Sequence, residues 1–185
     1  MRYFAIIILF CAWIPASESG CKKENDTLIW SEDLKLKWED FKSDSFPGVN
    51  VSALSAIRVR LDYEVRYNLD WIKVQCEFSK KFSIARKDKS PNLLLHEQGH
   101  FDLAEIYARE IRHDILTIRS KVNRDNYKML DSIHHLWDSK LLKEQIKYDK
   151  ETDYSRDTLR QSEWMVEIKS RLKKLSRYKE AYYKF

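Results

Sequence analysis

Five consecutive residues, His96-Glu97-Gln98-Gly99-His100, are the part of this sequence best suited to chemistry. On an α-helix, residues four apart lie one turn above each other, so His96 and His100 project from one face and their ring nitrogens can converge on one cation. A zinc ion held by neutral imidazoles lowers the pKa of water to roughly 7, which makes hydroxide available near neutral pH. Glu97 flanks that face and is the candidate general base. It would take the water's proton during attack on a carbonyl and deliver it to the departing amine, and peptide hydrolysis is the reaction this arrangement suits. With five histidines in 185 residues, the pattern arises by chance in only about 1% of sequences of this composition. The expectation is a zinc cofactor and a protein or peptide substrate.

The pentapeptide needs a helix, and the flanking residues supply one. Ser90-Pro91 reads as an N-cap followed by proline at the first helical position, and Leu93, Leu94 and Leu95 lead into the motif. This helix is expected to run from Pro91 to about Lys121. Asn123 to Asn126 is the candidate break; a second helix runs to about Lys147, and a third holds Leu159, Trp164, Ile168, Leu172 and Leu175. The C-terminal half is therefore expected to be all helix.

Upstream the period changes to two. Ile57, Val59, Leu61, Tyr63, Val65 and Tyr67 alternate with charged residues, and Asn68-Leu69-Asp70 is a hairpin loop into a second strand bearing Ile72, Val74, Cys76 and Phe78. Phe82-Ser83-Ile84 is a candidate third strand, and Pro47-Gly48 marks a turn. The fold class expected is α+β: a small antiparallel sheet in the N-terminal half packed on a helical C-terminal half, the zincin plan. Gly99 is expected to keep the wall of a substrate cleft low.

A third ligand must come from elsewhere. Glu105 sits about 180° from His96 and about 140° from His100 around a continuous helix, so it faces away and should pair with Arg109. Residues 101 to 106 read Phe-Asp-Leu-Ala-Glu-Ile, which excludes the metzincin extension. His113 lies too far along the same helix. His134 and His135 remain candidates, as does the acidic cluster Asp149, Glu151 and Asp153 at the end of the second helix.

Length fits a single domain once the start is removed. Met1-Arg2 and the apolar run Tyr3 to Ile14 have the layout of a secretory signal, placing a leader at residues 1–20 and a single domain at 21–185 in a secreted or periplasmic setting. Ser19-Gly20-Cys21 resembles a lipoprotein cleavage site, although Glu18 stands where an aliphatic residue is usual; Cys21 is then either a membrane tether or a disulfide partner for Cys76. The formal charge of +5 is spread along helices of alternating sign, and only Arg171-Leu172-Lys173-Lys174 is locally basic, so no nucleic-acid partner is expected.

These residues resemble a bacterial family described as secreted zinc-dependent proteases, long carried as a domain of unknown function. The resemblance rests on Ile29-Trp30-Ser31-Glu32 with Leu36 to Phe41, on Leu94 to Asp102 with Tyr107-Ala108-Arg109, and on Tyr148-Asp149 with Thr152, Gln161 and Trp164. It implies an exported zinc-dependent hydrolase. Many members carry His-Gly two residues after the threonine that matches Thr152, whereas this chain has Tyr154-Ser155. If that histidine is the usual ligand, Asp149 or a neighbouring carboxylate takes its place here, with Tyr154 as an occasional ligand or transition-state hydrogen-bond donor. The alternative is a catalytically inactive envelope protein that keeps the fold for binding or scaffolding.

Overall fold

The computed structural model describes residues 26–44, 51–86 and 89–185; the expected leader, Cys21 and the Pro47-Gly48 turn lie outside them. The long hairpin forms as the alternation predicts. Strands β3 (Ile57–Val65) and β4 (Leu69–Ser79) pair antiparallel, with Ile57, Val59, Leu61 and Tyr63 opposite Phe78, Cys76, Val74 and Ile72. The three-residue turn falls at residues 66–68, two positions earlier than expected, because Leu69, only 5% exposed, is already in register with Val65; Tyr67, expected on the strand, lies in the turn and is exposed. Strand β1 (Thr27–Ile29) pairs with the C-terminal end of β4. Strands β2 (Ala53–Leu54) and β5 (Ile84–Ala85) form a separate two-stranded sheet, so the expected third strand starts at Ile84 and does not extend the main sheet.

Three helices follow. Helix α1 (Pro91–Ile118) is capped by Ser90, whose side chain accepts from the Leu93 N–H, and a 3-10 turn (Arg119–Lys121) carries it to its expected end. Helix α2 (Lys128–Glu151) runs one turn past Lys147, and that extra turn delivers Asp149. Helix α3 (Thr158–Lys174) starts at Asp157, whose carboxylate accepts from the Arg160 N–H at 2.9 Å. No helix among the described residues is long and apolar enough to cross a membrane.

The C-terminal half is not all helix. Strand β6 (Tyr182–Lys184) returns to the sheet and pairs with the start of β4, where the Val74 N–H donates to the Ala181 carbonyl at 2.8 Å. Unpaired backbone groups on that edge of β4 favour any short extended segment that reaches them, whatever its own pattern. Three residues are too few for alternation to register in sequence.

The core lies between the sheet and α1. Ile72, Val74, Cys76 and Phe78 from β4 meet Phe101, Leu103, Ala104, Ile106 and Ala108 from α1, and most are fully enclosed. Residues of the motif helix also tie down the N-terminal segment. Gln98 accepts from the Leu36 N–H at 2.9 Å and donates to Asp102 at 2.8 Å, and Asp102 accepts from the Trp30 indole at 2.8 Å. Gln98 thus has a structural reason to sit inside the motif.

A charged knot joins all three helices. Arg171 of α3 forks onto Glu144 of α2 at 2.7 and 3.0 Å, and Glu144 also accepts from the Tyr107 hydroxyl of α1. Burial pushes the Glu144 carboxyl up, but the Arg171 fork and the Tyr107 hydroxyl outweigh it and hold the group below its usual range. A carboxyl lowered in the folded state stabilises the fold above its unfolded pKa and ceases to do so as pH falls through the folded value. Acid should therefore loosen α3 from α1 and α2. Glu144→Gln is expected to lower stability by about 1–3 kcal/mol at neutral pH, with the difference shrinking as pH falls below the unfolded glutamate value of about 4.3, read from urea unfolding over a series of acidic pH values.

Candidate metal centre

Helix α1 presents His96 and His100 on one face, one turn apart, and the last turn of α2 brings Asp149 against them. His96 Nε2 and His100 Nε2 lie 3.1 Å apart, and Asp149 Oδ1 is 3.1 Å from the first and 2.9 Å from the second. All three residues are buried, and among the described residues they form the group of ligand atoms able to hold a metal ion. Four donors around zinc at about 2.0–2.1 Å stand about 3.3 Å apart in a tetrahedron, so this triangle needs only a small expansion to accept the ion. Two imidazole nitrogens and one carboxylate oxygen are also a donor set zinc prefers in catalytic sites. The residues fit the metal.

With only protons available, the same groups form an ion pair. Burial resists charging His100, yet the Asp149 carboxylate beside it outweighs burial and raises the imidazole to about 9. Burial likewise opposes ionisation of Asp149, and His100 with His96 overcomes it, bringing the carboxyl down to about 2. His100 and Asp149 therefore form a buried imidazolium–carboxylate pair when no metal is bound.

Tyr148 forms the rear wall. Its ring stacks on His96 at 4.6 Å between centroids and meets His100 edge-on at 5.0 Å, while Trp164 of α3 closes on it from behind at 5.3 Å. Burial pushes its phenol well above the usual range, so it stays protonated. Gly99 exists for this ring: a Cβ there would stand 2.4 Å from the Tyr148 hydroxyl and 2.8 Å from its Cζ. The glycine faces packed aromatic surface, which replaces the expectation of a low cleft wall. Because Tyr148 is pinned between His96 and Trp164, Gly99→Ala should cost about 1–3 kcal/mol by overpacking and displace both imidazoles. A fall in thermal midpoint together with weaker zinc uptake would show it; an unchanged midpoint would refute the packing role.

Glu97 is 4% exposed and accepts a hydrogen bond from Ser55 Oγ at 2.6 Å. Ser55 follows directly on β2, so the small sheet holds the residue that aims this carboxylate. No pattern around Ser55 announced it.

The other sequence candidates are elsewhere. Glu105 faces away as helical geometry requires, and binds Arg109 at 3.0 Å and Arg112 at 2.8 Å. His113 pairs with Asp114, His134 contacts the Val59 carbonyl at 2.8 Å on the outer edge of β3, and neighbouring His135 is exposed. Glu151 accepts from Arg160 and from the Trp164 indole, and Asp153 pairs with Arg156. Tyr154 is half-buried just past the ligand turn, its N–H donating to the Asp149 carbonyl at 2.8 Å. Asp153, Tyr154 and Ser155 all have positive φ, at 47°, 54° and 77°. Three successive non-glycine residues in the left-handed region store strain of order 1–3 kcal/mol each, a feature that concentrates at functional sites. Cys76 is a free thiol on the core face of β4, 3.7 Å from the Phe101 carbonyl, and burial pushes it well up from its usual range.

Sequence reasoning missed Ser55, Gln145 and the packing role of Tyr148; it reached Gln161 only through the family resemblance, and Trp164 as an apolar position of the third helix. Glutamines have no metal-binding signature, and their partners become visible only once α2 and α3 are docked. No significant match to a curated protein or to a solved structure was found. A family model described as a bacterial protein of unknown function matches residues 18–156, a stretch containing the pentapeptide and Asp149. By that match the chain belongs to the bacterial family DUF922.

Proposed function

We propose that the chain is an exported zinc-dependent hydrolase that cleaves peptide bonds in protein substrates, with His96, His100 and Asp149 as ligands and Glu97 as general base. The observation that carries the reading is the meeting of His96 Nε2, His100 Nε2 and Asp149 Oδ1 within 3.1 Å, with an acid one residue along the same helix. When bound, zinc supplies a Lewis acid that lowers the pKa of water and polarises a carbonyl. Glu97 holds the transferred proton on its carboxylate and passes it to the leaving amine, while Ser55 fixes the orientation of that carboxylate. Tyr154, on the strained turn beside Asp149, is the candidate donor to the carbonyl oxygen as negative charge develops. The antiparallel sheet against the motif helix supports a zincin-like reading. Residues 1–20 would direct export, with Cys21 as a potential lipid tether.

A second reading, a non-catalytic envelope protein for binding or scaffolding, is favoured by one observation: Glu97 is enclosed and already engaged by Ser55. Purified protein separates the two. The hydrolase reading expects one zinc per chain and cleavage of a denatured protein substrate that stops with a chelator and returns with zinc. A folded protein that takes up no zinc overturns it, and a zinc-loaded protein that cleaves nothing leaves the scaffold.

A further inference from the structure

Each imidazole at the centre has a second nitrogen, and the chain sets an amide oxygen against both. Gln145 Oε1 of α2 meets His100 Nδ1, and Gln161 Oε1 of α3 meets His96 Nδ1 at 3.2 Å. Neither amide is free to turn. Gln145 Nε2 donates to the His100 carbonyl at 3.0 Å; a flipped amide would set oxygen against oxygen there. Gln161 Nε2 donates to the Asn92 carbonyl and to Asn92 Oδ1, both at 2.9 Å. Asn92 is fixed in turn, because its Nδ2 donates to the Ser155 carbonyl. Among the described residues, Thr152 Oγ1 also lies near His96 Nδ1, at 3.4 Å, and its proton goes to the Tyr148 carbonyl at 2.8 Å. Both Nδ1 atoms thus face acceptors and must donate. A neutral imidazole protonated at Nδ1 carries a bare lone pair at Nε2.

We propose that Gln145 and Gln161 are positioning residues of the metal centre: they keep the protons of both histidines on Nδ1 and so aim two Nε2 lone pairs at the ion. The inference rests on the zinc reading above. Metal-bound histidines elsewhere usually donate this second N–H to a carboxylate, backbone carbonyl or water. A neutral amide sets the tautomer without adding charge, leaving Asp149 as the anionic ligand. It also makes α3, which lies past the stretch matched by the family model, a part of the centre. A relay runs from the strained turn through Asn92 and Gln161 to His96, joining the α2–α3 connection to the metal.

Two measurements test the proposal. Long-range proton–nitrogen spectra of the zinc-loaded, nitrogen-15-labelled protein should place the proton on Nδ1 and the metal on Nε2 of both rings; metal on Nδ1 of either ring overturns it. Gln161→Met and Gln145→Met should each weaken zinc binding by about 10–100-fold in competition with a chromophoric chelator, the range typical of lost outer partners. A merely structural glutamine would lower the thermal midpoint of zinc-free and zinc-loaded protein alike and leave the zinc Kd within about twofold, and that result overturns the positioning role. Should a variant not fold, the spectra of the unaltered protein decide. If the unaltered protein takes up no zinc, the zinc reading falls, an outcome distinct from unchanged Kd values in the variants.

Discussion

Glu97→Gln should abolish hydrolysis of a denatured protein substrate while leaving one zinc per chain in place. Glutamine has nearly the shape of glutamate, and its amide oxygen can still accept from Ser55 Oγ, so the helix and the three ligands keep their arrangement. What the amide lacks is basicity. A positioned general acid–base residue contributes about 10²–10⁴ in rate, so kcat should fall by that factor with zinc stoichiometry and thermal midpoint unchanged. A loss confined to KM would mean that Glu97 binds substrate without moving a proton. If kcat stays within about threefold of the unaltered enzyme, the mechanism proposed for Glu97 is wrong.

Asp149→Ala has the largest expected effect on metal. Asp149 is the anionic member of the proposed ligand triangle, buried, and 2.9 and 3.1 Å from the two imidazole nitrogens. Loss of a direct ligand should weaken zinc by more than the roughly 10–100-fold typical of an outer partner. Zinc present at 100 times the Kd stabilises a fold by about 2.7 kcal/mol, so a 100-fold weaker site loses nearly all of that at the same zinc concentration. Thermal unfolding with and without zinc reads the change: the unaltered protein gains several degrees, and the variant gains almost none. A variant that keeps the full zinc-dependent shift would show that another side chain supplies the third ligand. Asp149→Asn, which preserves volume, guards against a loss caused by the cavity alone.

Local order explains what could be read before folding. The alternation of Ile57 to Val65, the Ser90-Pro91 start and the spacing of His96 and His100 are consequences of periods of 2 and 3.6 along one chain. Those elements form accordingly, except that the alternation continues in sequence to Tyr67 while the strand ends at Val65. Glu105 could be set aside from helical angle alone, and its pairing with Arg109 and Arg112 agrees. Asp149 stood as a candidate among several acids because a bundle could return the end of α2 to α1. The sequence already favours Asp149 over His134, Glu151 and Asp153, and the extra turn of α2 is what sets its carboxylate against both imidazoles.

The sequence by itself determined the pair of imidazoles, the adjoining acid and the two-part α+β order, since all are set by neighbours within a few residues. Only the tertiary structure decided that Ser55 aims Glu97, that Gln145 and Gln161 fix the ring protons, that Gly99 makes room for Tyr148, and that β6 closes on the sheet. Those contacts join residues roughly 40 to 110 positions apart, and their strength lies in directional hydrogen bonds and close packing. Such partners leave no period in the chain, because nothing about a glutamine or a glycine tells which distant atom it will meet until the core has brought them together.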